Sequence, residues 1–516
     1  MLLNPSIALW TVVGGLLLYR CYRFLFDRPP NFPSGPPRFP LLGGYLVMLL
    51  VNYKHLHKAA LKLSEFYRTS ILGLYLGDFP TVVVNDLWIA KEVLNRTEFD
   101  GRSDLFLARL RDRNFERRGI FFTLGPHWKE QRRFVLRHLR DFGFGRRFEE
   151  LEAETQHEVT DLLEVIKYGA KFEHEQEFVT GDGFVRCPDV FYGCLANIYC
   201  QVVCGERFQR KDMAVLFEMG QHGLVFQQKG DDYGTILSYL PWLKDYFPET
   251  TNYRILREVN LKMNDFIEQL LNKFLASYDE SHIRCFLDRY IREMKESTPL
   301  QGQSFTFQYD QLVMILWDLL VPTVSGSAVQ LSMLIQRLIL NPRVATKVQQ
   351  ELDEVVGRGR LPTLDDRILL PYTEATLRET LRIDTLVPSG IAHMAMENTT
   401  LRGYDIPEGT FVILGLDVIH HQKEAWGDPE NFRPERFLDE CGKLSLAKDI
   451  SVPFGAGKRL CVGETFARNT LFLMFTAVMQ NFTIHQRPKE PLPDIGKRIT
   501  GVVTSMEPFW IRFEPR

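Results

Sequence analysis

A single cysteine, Cys461, closes the loop Pro453-Phe454-Gly455-Ala456-Gly457-Lys458-Arg459-Leu460-Cys461-Val462-Gly463, directly ahead of an apolar run. That run, Glu464 to Phe482, is apolar on nearly every side, which predicts a buried helix with the cysteine just before its first turn. A thiolate there would face the positive end of the helix dipole and free backbone N–H groups, both of which favour ionised sulfur. Gly455, Gly457 and Gly463 permit backbone conformations and close approaches that a side chain forbids, as a flat cofactor lying against the loop would require. Arg459, two residues before the sulfur, is placed to pair with a carboxylate on such a cofactor. The competing reading is a structural turn with a buried free thiol. Other local readings fail, because no third glycine completes a dinucleotide fingerprint, no phosphate-loop pattern precedes Lys458, and no Cys-x-x-Cys occurs.

The complete pattern, Phe454, Gly457, Arg459, Cys461 and Gly463 at their fixed spacing, resembles the haem-binding loop of the cytochrome P-450 superfamily, the haem-thiolate monooxygenases. The resemblance implies haem b as cofactor, with Cys461 as the axial ligand of its iron and Phe454, Gly457 and Arg459 against it.

Further residues fit the same family in the expected order. Glu379 and Arg382 lie three apart and share a helix face. Alone such a pair is usually a solvated surface pair. Downstream, Phe432-Arg433-Pro434-Glu435-Arg436-Phe437 resembles the segment that completes the family's Glu-Arg-Arg triad, so Arg436 is expected to join Glu379 and Arg382 in a buried structural network. Trp128 and Arg132, four apart, resemble the family's pair that contacts a haem propionate. His393 stands where the family usually has His-Arg beside a propionate, but Met394 replaces that arginine. Counting back from Asn341-Pro342, the family's acid and alcohol, which relay protons for O–O cleavage, fall at Ser325 and Gly326. Neither an acid nor an alcohol stands in its usual place, and Ser325 or Ser327 is left to hold a water in the relay. Pro322 lacks an N–H and crowds the carbonyl of Asp318, which predicts a kink.

The elements that must position these groups read as mainly helical with small β-sheets, in one large domain over 45–516. Tyr75 to Asp86 and Leu401 to Val412 have the β-branched runs and turn residues of hairpins. Residues 1–28 read as a membrane anchor, an uncharged apolar stretch closed by Arg20, Arg23 and Arg28, and 29–44 as a stiff proline-rich hinge. The order of charge and apolar run is the reverse of a cleavable signal and leaves the bulk of the chain in the cytosol. An anchor followed by a proline-rich hinge resembles the microsomal members of the superfamily, which implies the endoplasmic reticulum membrane. A net charge of −3 over 516 residues gives no case for nucleic-acid binding, and eight irregularly spaced cysteines do not form a disulfide framework. Cys200 and Cys204 read as core thiols.

The resemblance implies a monooxygenase that inserts one oxygen atom from O2 into an apolar substrate. With no flavin or nicotinamide pattern in the chain the electron donor must be another protein. The resemblance implies a separate NADPH-dependent flavoprotein reductase, with a small electron-transfer haem protein as a further partner. Arg133, Arg137 and Arg140 offer a basic docking face or simply a solvated one. Substrate contacts are expected at Phe115, Phe121, Phe122, Val321 to Ser325 and Val387 to Ile391. The missing acid and alcohol keep two alternatives open, a hydroperoxide isomerase or dehydratase, and a haem protein without turnover.

Overall fold

The computed structural model describes residues 15, 19–20, 22–144, 147–231, 233–296, 306–488 and 493–516. Most of the expected anchor therefore lies outside the described residues. The body is helical with small sheets, as the periodicity predicts.

Its axis is one continuous apolar stretch, Tyr309 to Leu340, of which 94% of the most apolar window is buried, so it is the core helix and not a membrane span. The predicted kink is present in a particular form. Tyr309–Val321 and Ser327–Leu340 are α-helical, and between them Pro322–Gly326 is a π-helical turn. Pro322 has no N–H to give to the carbonyl one turn back, and a wider turn is the local answer to that missing bond. The Ser325 hydroxyl donates to the carbonyl of Val321 (2.8 Å) inside this turn.

A five-stranded sheet flanks the helices, in the spatial order Ile71–Leu76, Phe79–Val84, Phe411–Leu414, His393–Met394, Gly101–Arg102. Its register sets Arg102 opposite His393. The first hairpin starts at Ile71 rather than Tyr75. In the second, Thr399–Leu401 pairs with Tyr404–Ile406, and Phe411 then leaves for the larger sheet. The helix after Cys461 spans Glu464–Asn481, and Phe482 opens a strand instead of closing the helix.

The proline-rich segment is not a free spacer. Gly73 donates to the carbonyl of Ser34 (2.9 Å), and Arg28 donates to the carbonyls of Pro33 (2.9 Å) and Pro36 (2.8 Å), which ties the segment to the first strand. A chain rich in proline has few N–H groups of its own, so the neighbouring arginine takes up its carbonyls.

The expected triad forms. Arg382 Nε and an Nη each donate to a Glu379 oxygen (2.8 Å), Arg436 Nε lies 3.0 Å from the same carboxylate, and the Arg433 backbone N–H also donates to it (3.0 Å). The Glu379 and Arg382 side chains are fully buried. Arg382 spends its other donors on the carbonyls of His420 (2.7 Å) and Pro429 (2.8 Å). The ring of His420 carries the link onward: Nε2 accepts from Val452 N–H (3.0 Å), so the proton sits on Nδ1, against Thr385 Oγ1 (2.8 Å). Val452 immediately precedes the cysteine loop.

Removing one partner strands a buried charge, so Arg382→Leu should cost about 3–5 kcal/mol of stability in denaturant titration, far more than the Arg133→Leu substitution on an exposed face. Burial, with Arg382 nearby among lesser causes, holds the His420 imidazole down to about 3 from its ordinary 6.5. Between those values the unfolded chain binds the proton and the folded one does not, so stability falls as pH is lowered from about 6.5 toward about 3. The slope contributed is at most about 1.4 kcal/mol per pH unit, and His420→Gln should lack it when unfolding is followed across that range.

Candidate active site

The cysteine loop closes on itself through the Cys461 N–H, which donates to the carbonyl of Phe454 (3.0 Å). Gly457 takes φ +64°, and a Cβ there would lie 2.0 Å from the carbonyl oxygen of Leu94. That close approach is to the helix Leu87–Asn95, so Gly457 seats the loop on the protein and does not line the cavity. Phe454, Gly455, Cys461 and Gly463 do line it. The thiol departs from expectation: burial pushes Cys461 up from its ordinary value, and the Gly463 N–H and Arg132 only partly offset that. Desolvation of a charge outweighs the end of one helix where no cation touches the sulfur.

At the rim are three guanidinium groups. Arg102, Arg132 and Arg459 all line the cavity, and none of them makes an ion pair with a carboxylate among the described residues. Their donors go to carbonyls: Arg102 to Phe121 and Ile391 (3.3 Å each), Arg459 to Asp100 (2.7 Å) and Thr123 (2.9 Å), and Arg132 to Leu460. Burial lowers all three, and repulsion from neighbouring arginines adds to it at Arg102, pushed to about 9, and at Arg459, pushed to about 8. Trp128 lies beneath Arg459, ring centroid 3.5 Å from the guanidinium carbon, and its indole Nε1 is buried without a hydrogen-bond partner. His393 is buried, and its Nδ1 donates to the carbonyl of Phe99 (2.8 Å). With that nitrogen committed and the ring held neutral by burial and Arg102, Nε2 can only accept.

An orphaned indole N–H and three cations without counter-ions are what the propionates of a haem would satisfy, so the residues present fit that group. Arg102 was not legible in the sequence. It occupies a two-residue strand, too short for any periodicity, and reaches His393 only by sheet register. It supplies from the neighbouring strand the guanidinium that Met394 lacks.

The opposite wall comes from the core helix. Val321, Pro322, Thr323, Gly326, Ser327 and Gln330 line the cavity. Ser325 does not: its hydroxyl is turned to Val321 and to the helix Ala214–Lys229, where a Cβ on Gly223 would come within 2.8 Å of it. The π-helical turn directs Ser325 away, so of the two serines considered for a relay only Ser327 faces the space. Phe121, Phe122, Val387, Gly390 and Ile391 line the cavity as expected. Phe115 instead packs on Phe106 under the guanidinium of Arg257. Phe226, Trp317, Val502 and Val503 are lining residues that the sequence did not reveal. The loop bearing Phe121 and Phe122 is held by Asp318, which accepts from the N–H of Ile120 (2.6 Å) and Phe121 (3.1 Å) and pairs with buried Arg111. A separate opening of about 790 Å3, lined by Lys54, Lys229 and Arg498 among others, contains none of these groups.

The profile of the family described as Cytochrome P450 matches residues 33–513. The chain belongs to the cytochrome P450 family. It is 34% identical over 496 residues to a protein named farnesoate epoxidase from Bombyx mori, covering 94% of each chain. It is 32% identical over 483 residues to cytochrome P450 2C1 of Oryctolagus cuniculus, covering 93% of each. Against cytochrome P450 2J2 of Homo sapiens it is 30% identical over 495 residues, covering 94% of this chain and 93% of the relative. As a cytochrome P450 it is a haem-thiolate monooxygenase using haem b, and its relatives place it among the membrane-associated, microsomal members.

Replacing Arg102 by Leu removes one charge-assisted partner worth about 1.5–3 kcal/mol. Haem loss to apomyoglobin should quicken roughly ten- to a hundredfold, while Met394→Leu leaves it unchanged.

Proposed function

We propose that Cys461 is the axial thiolate, that Arg102, Trp128, Arg132 and Arg459 receive the haem propionates, and that the enzyme oxygenates an elongated apolar substrate. The observation that carries this reading is the sulfur of Cys461 opening into an apolar cavity whose rim bears three unpaired arginines. When bound, the haem supplies oxygen activation, and the thiolate favours O–O cleavage. The protein's own residues do the rest. Neutralising the propionates relieves the repulsion among Arg102, Arg132 and Arg459 and locks the cofactor's edge. Phe121, Phe122, Phe226, Val321, Val387 and Ile391 exclude water and orient the substrate by shape. The high similarity to a relative named for an epoxidation of farnesoate supports an apolar chain as substrate.

His393, with Nδ1 tied to Phe99, would donate to a propionate only as imidazolium, so in this reading it packs against the cofactor's edge and orders the strand. Electrons come from NADPH through a separate flavoprotein reductase, with a small electron-transfer haem protein as a second donor. Arg133 and Arg137, exposed on the helix that carries Trp128 and Arg132, and Arg140 at its C-terminal cap are the docking charges. The anchor at 1–28 holds the domain at the endoplasmic reticulum membrane, facing the cytosol.

The test is spectroscopic first. The reduced protein under carbon monoxide should give the thiolate-type carbonyl band, and Cys461→Ala should lose it while keeping helical content. Product should then form with NADPH and reductase. Turnover with organic hydroperoxides alone would instead select the isomerase reading that Gly326 leaves open.

A further inference from the structure

The wall opposite the cysteine loop must offer a hydrogen-bond donor if protons are to reach an oxygen reduced in this cavity. Thr323, Ser327 and Gln330 bring polar groups to this wall, but at its centre Gly326 offers none, and Ser325 is turned out of the space. The helix Ala214–Lys229 crosses this point very closely. Gly223 meets Ser325 at a distance no side chain would allow, and one turn further along the same face stands Gln227. Its side-chain Nε2 lies 3.8 Å from where a Cβ of Gly326 would be. Gln227 is only 4% exposed, lines the cavity, and its Oε1 is buried with no partner. Its backbone carbonyl is taken by the Val502 N–H (2.8 Å), which fixes the residue from the far side. A buried primary amide with an unmatched polar end is costly in an apolar wall unless something polar meets it there.

We propose that the Gln227 amide supplies the donor that Gly326 does not, holding a water beside Gly326 in the cavity that Cys461 shares. The amide has no ionisable proton at neutral pH, so Gln227 acts as a positioning residue: Nε2–H fixes the water, Oε1 accepts from it, and the water presents its proton to the cavity. A Cβ at 326 would sit in ordinary contact with Nε2 (3.8 Å) and with Leu386 Cδ2 (3.7 Å), so Gln227 already occupies the flank of this position. The Ser327 hydroxyl, also facing the cavity, is the neighbour through which the water would be replenished.

This inference rests on the reading of Cys461 as the haem ligand, and the measurement separates the two. In the haem-loaded full-length protein the infrared C–O stretch of the carbon monoxide adduct reports a nearby hydrogen-bond donor. Wild type should show a band that shifts between H2O and D2O. Gln227→Met, of similar length with no N–H, should keep the thiolate-type visible band, move the C–O stretch to higher frequency and raise peroxide released per NADPH severalfold. Gln228→Met should do neither, because that amide donates to Ser505 (2.9 Å) in a different opening. Loss of the thiolate-type band in wild type would sink the haem reading itself. A wild-type band insensitive to D2O, or an unmoved stretch in Gln227→Met, overturns the proposal with the haem reading intact. An equal shift in Gln228→Met would also overturn it, since helix packing and not the amide would then be responsible.

Discussion

One carboxylate without access to water, Glu379, sets the terms for the half of the molecule that carries the cysteine. A buried carboxylate is tolerated only when its oxygens are filled, and here Arg382, Arg436 and the Arg433 N–H fill them. Each guanidinium then has donors to spare in a place with no solvent, and these fall on the carbonyls of His420, Trp426, Asp428 and Pro429. The charge is thus compensated by pinning the ends of the short helices Leu416–His420 and Lys423–Trp426 and the loop that follows them. Through the unprotonated Nε2 of His420, which accepts from the Val452 N–H, the constraint reaches the loop that presents Cys461. The loop's geometry is inherited from a charge that never touches it.

The rim of the cavity obeys the opposite rule. Arg102, Arg132 and Arg459 are buried among carbonyls with no carboxylate, and Asp100 contributes only at a distance. A closed network such as Glu379's contributes to the fold with nothing bound, whereas an open one lowers stability until an anion arrives. In the proposed reading the open network couples folding to cofactor binding: the free energy withheld at Arg102, Arg132 and Arg459 would be recovered when two propionates enter. The unpartnered indole of Trp128 belongs to the same account, since its N–H is withheld from every protein acceptor.

What was legible in the sequence follows from where each piece of information is stored. The cysteine loop, the pair Glu379 and Arg382, and Trp128 with Arg132 are local patterns whose spacing carries their meaning, and the fold class follows from periodicity over long helices. Arg102, Gln227 and Trp317 are parts of the site only because a sheet register or a helix crossing brings them there, and no short window of sequence contains that. Gly457 was legible as a constrained glycine but not in its partner, which is the Leu94 carbonyl and not a cofactor. Phe115 and Ser325 were misplaced for one reason: proximity along the chain does not give the direction in which a side chain points. A π-helical turn moves each following side chain round the axis relative to an α-helix, so an alignment by counting still names the right turn and the wrong face.

That point also bears on how the core helix does its work. Pro322 removes a backbone donor in the middle of the buried core helix, and the fold answers with a wider turn stitched by the Ser325 hydroxyl. Stitching takes that hydroxyl away from the cavity. Gly223 meets that turn at Ser325 and lets a second helix approach closely, which brings Gln227 beside Gly326. Geometry and polar chemistry are therefore traded between two helices: the core helix gives up the Ser325 hydroxyl to its own backbone, and the close crossing delivers an amide from elsewhere. A side chain at 326 would lie against Gln227, so the two positions act on the cavity together.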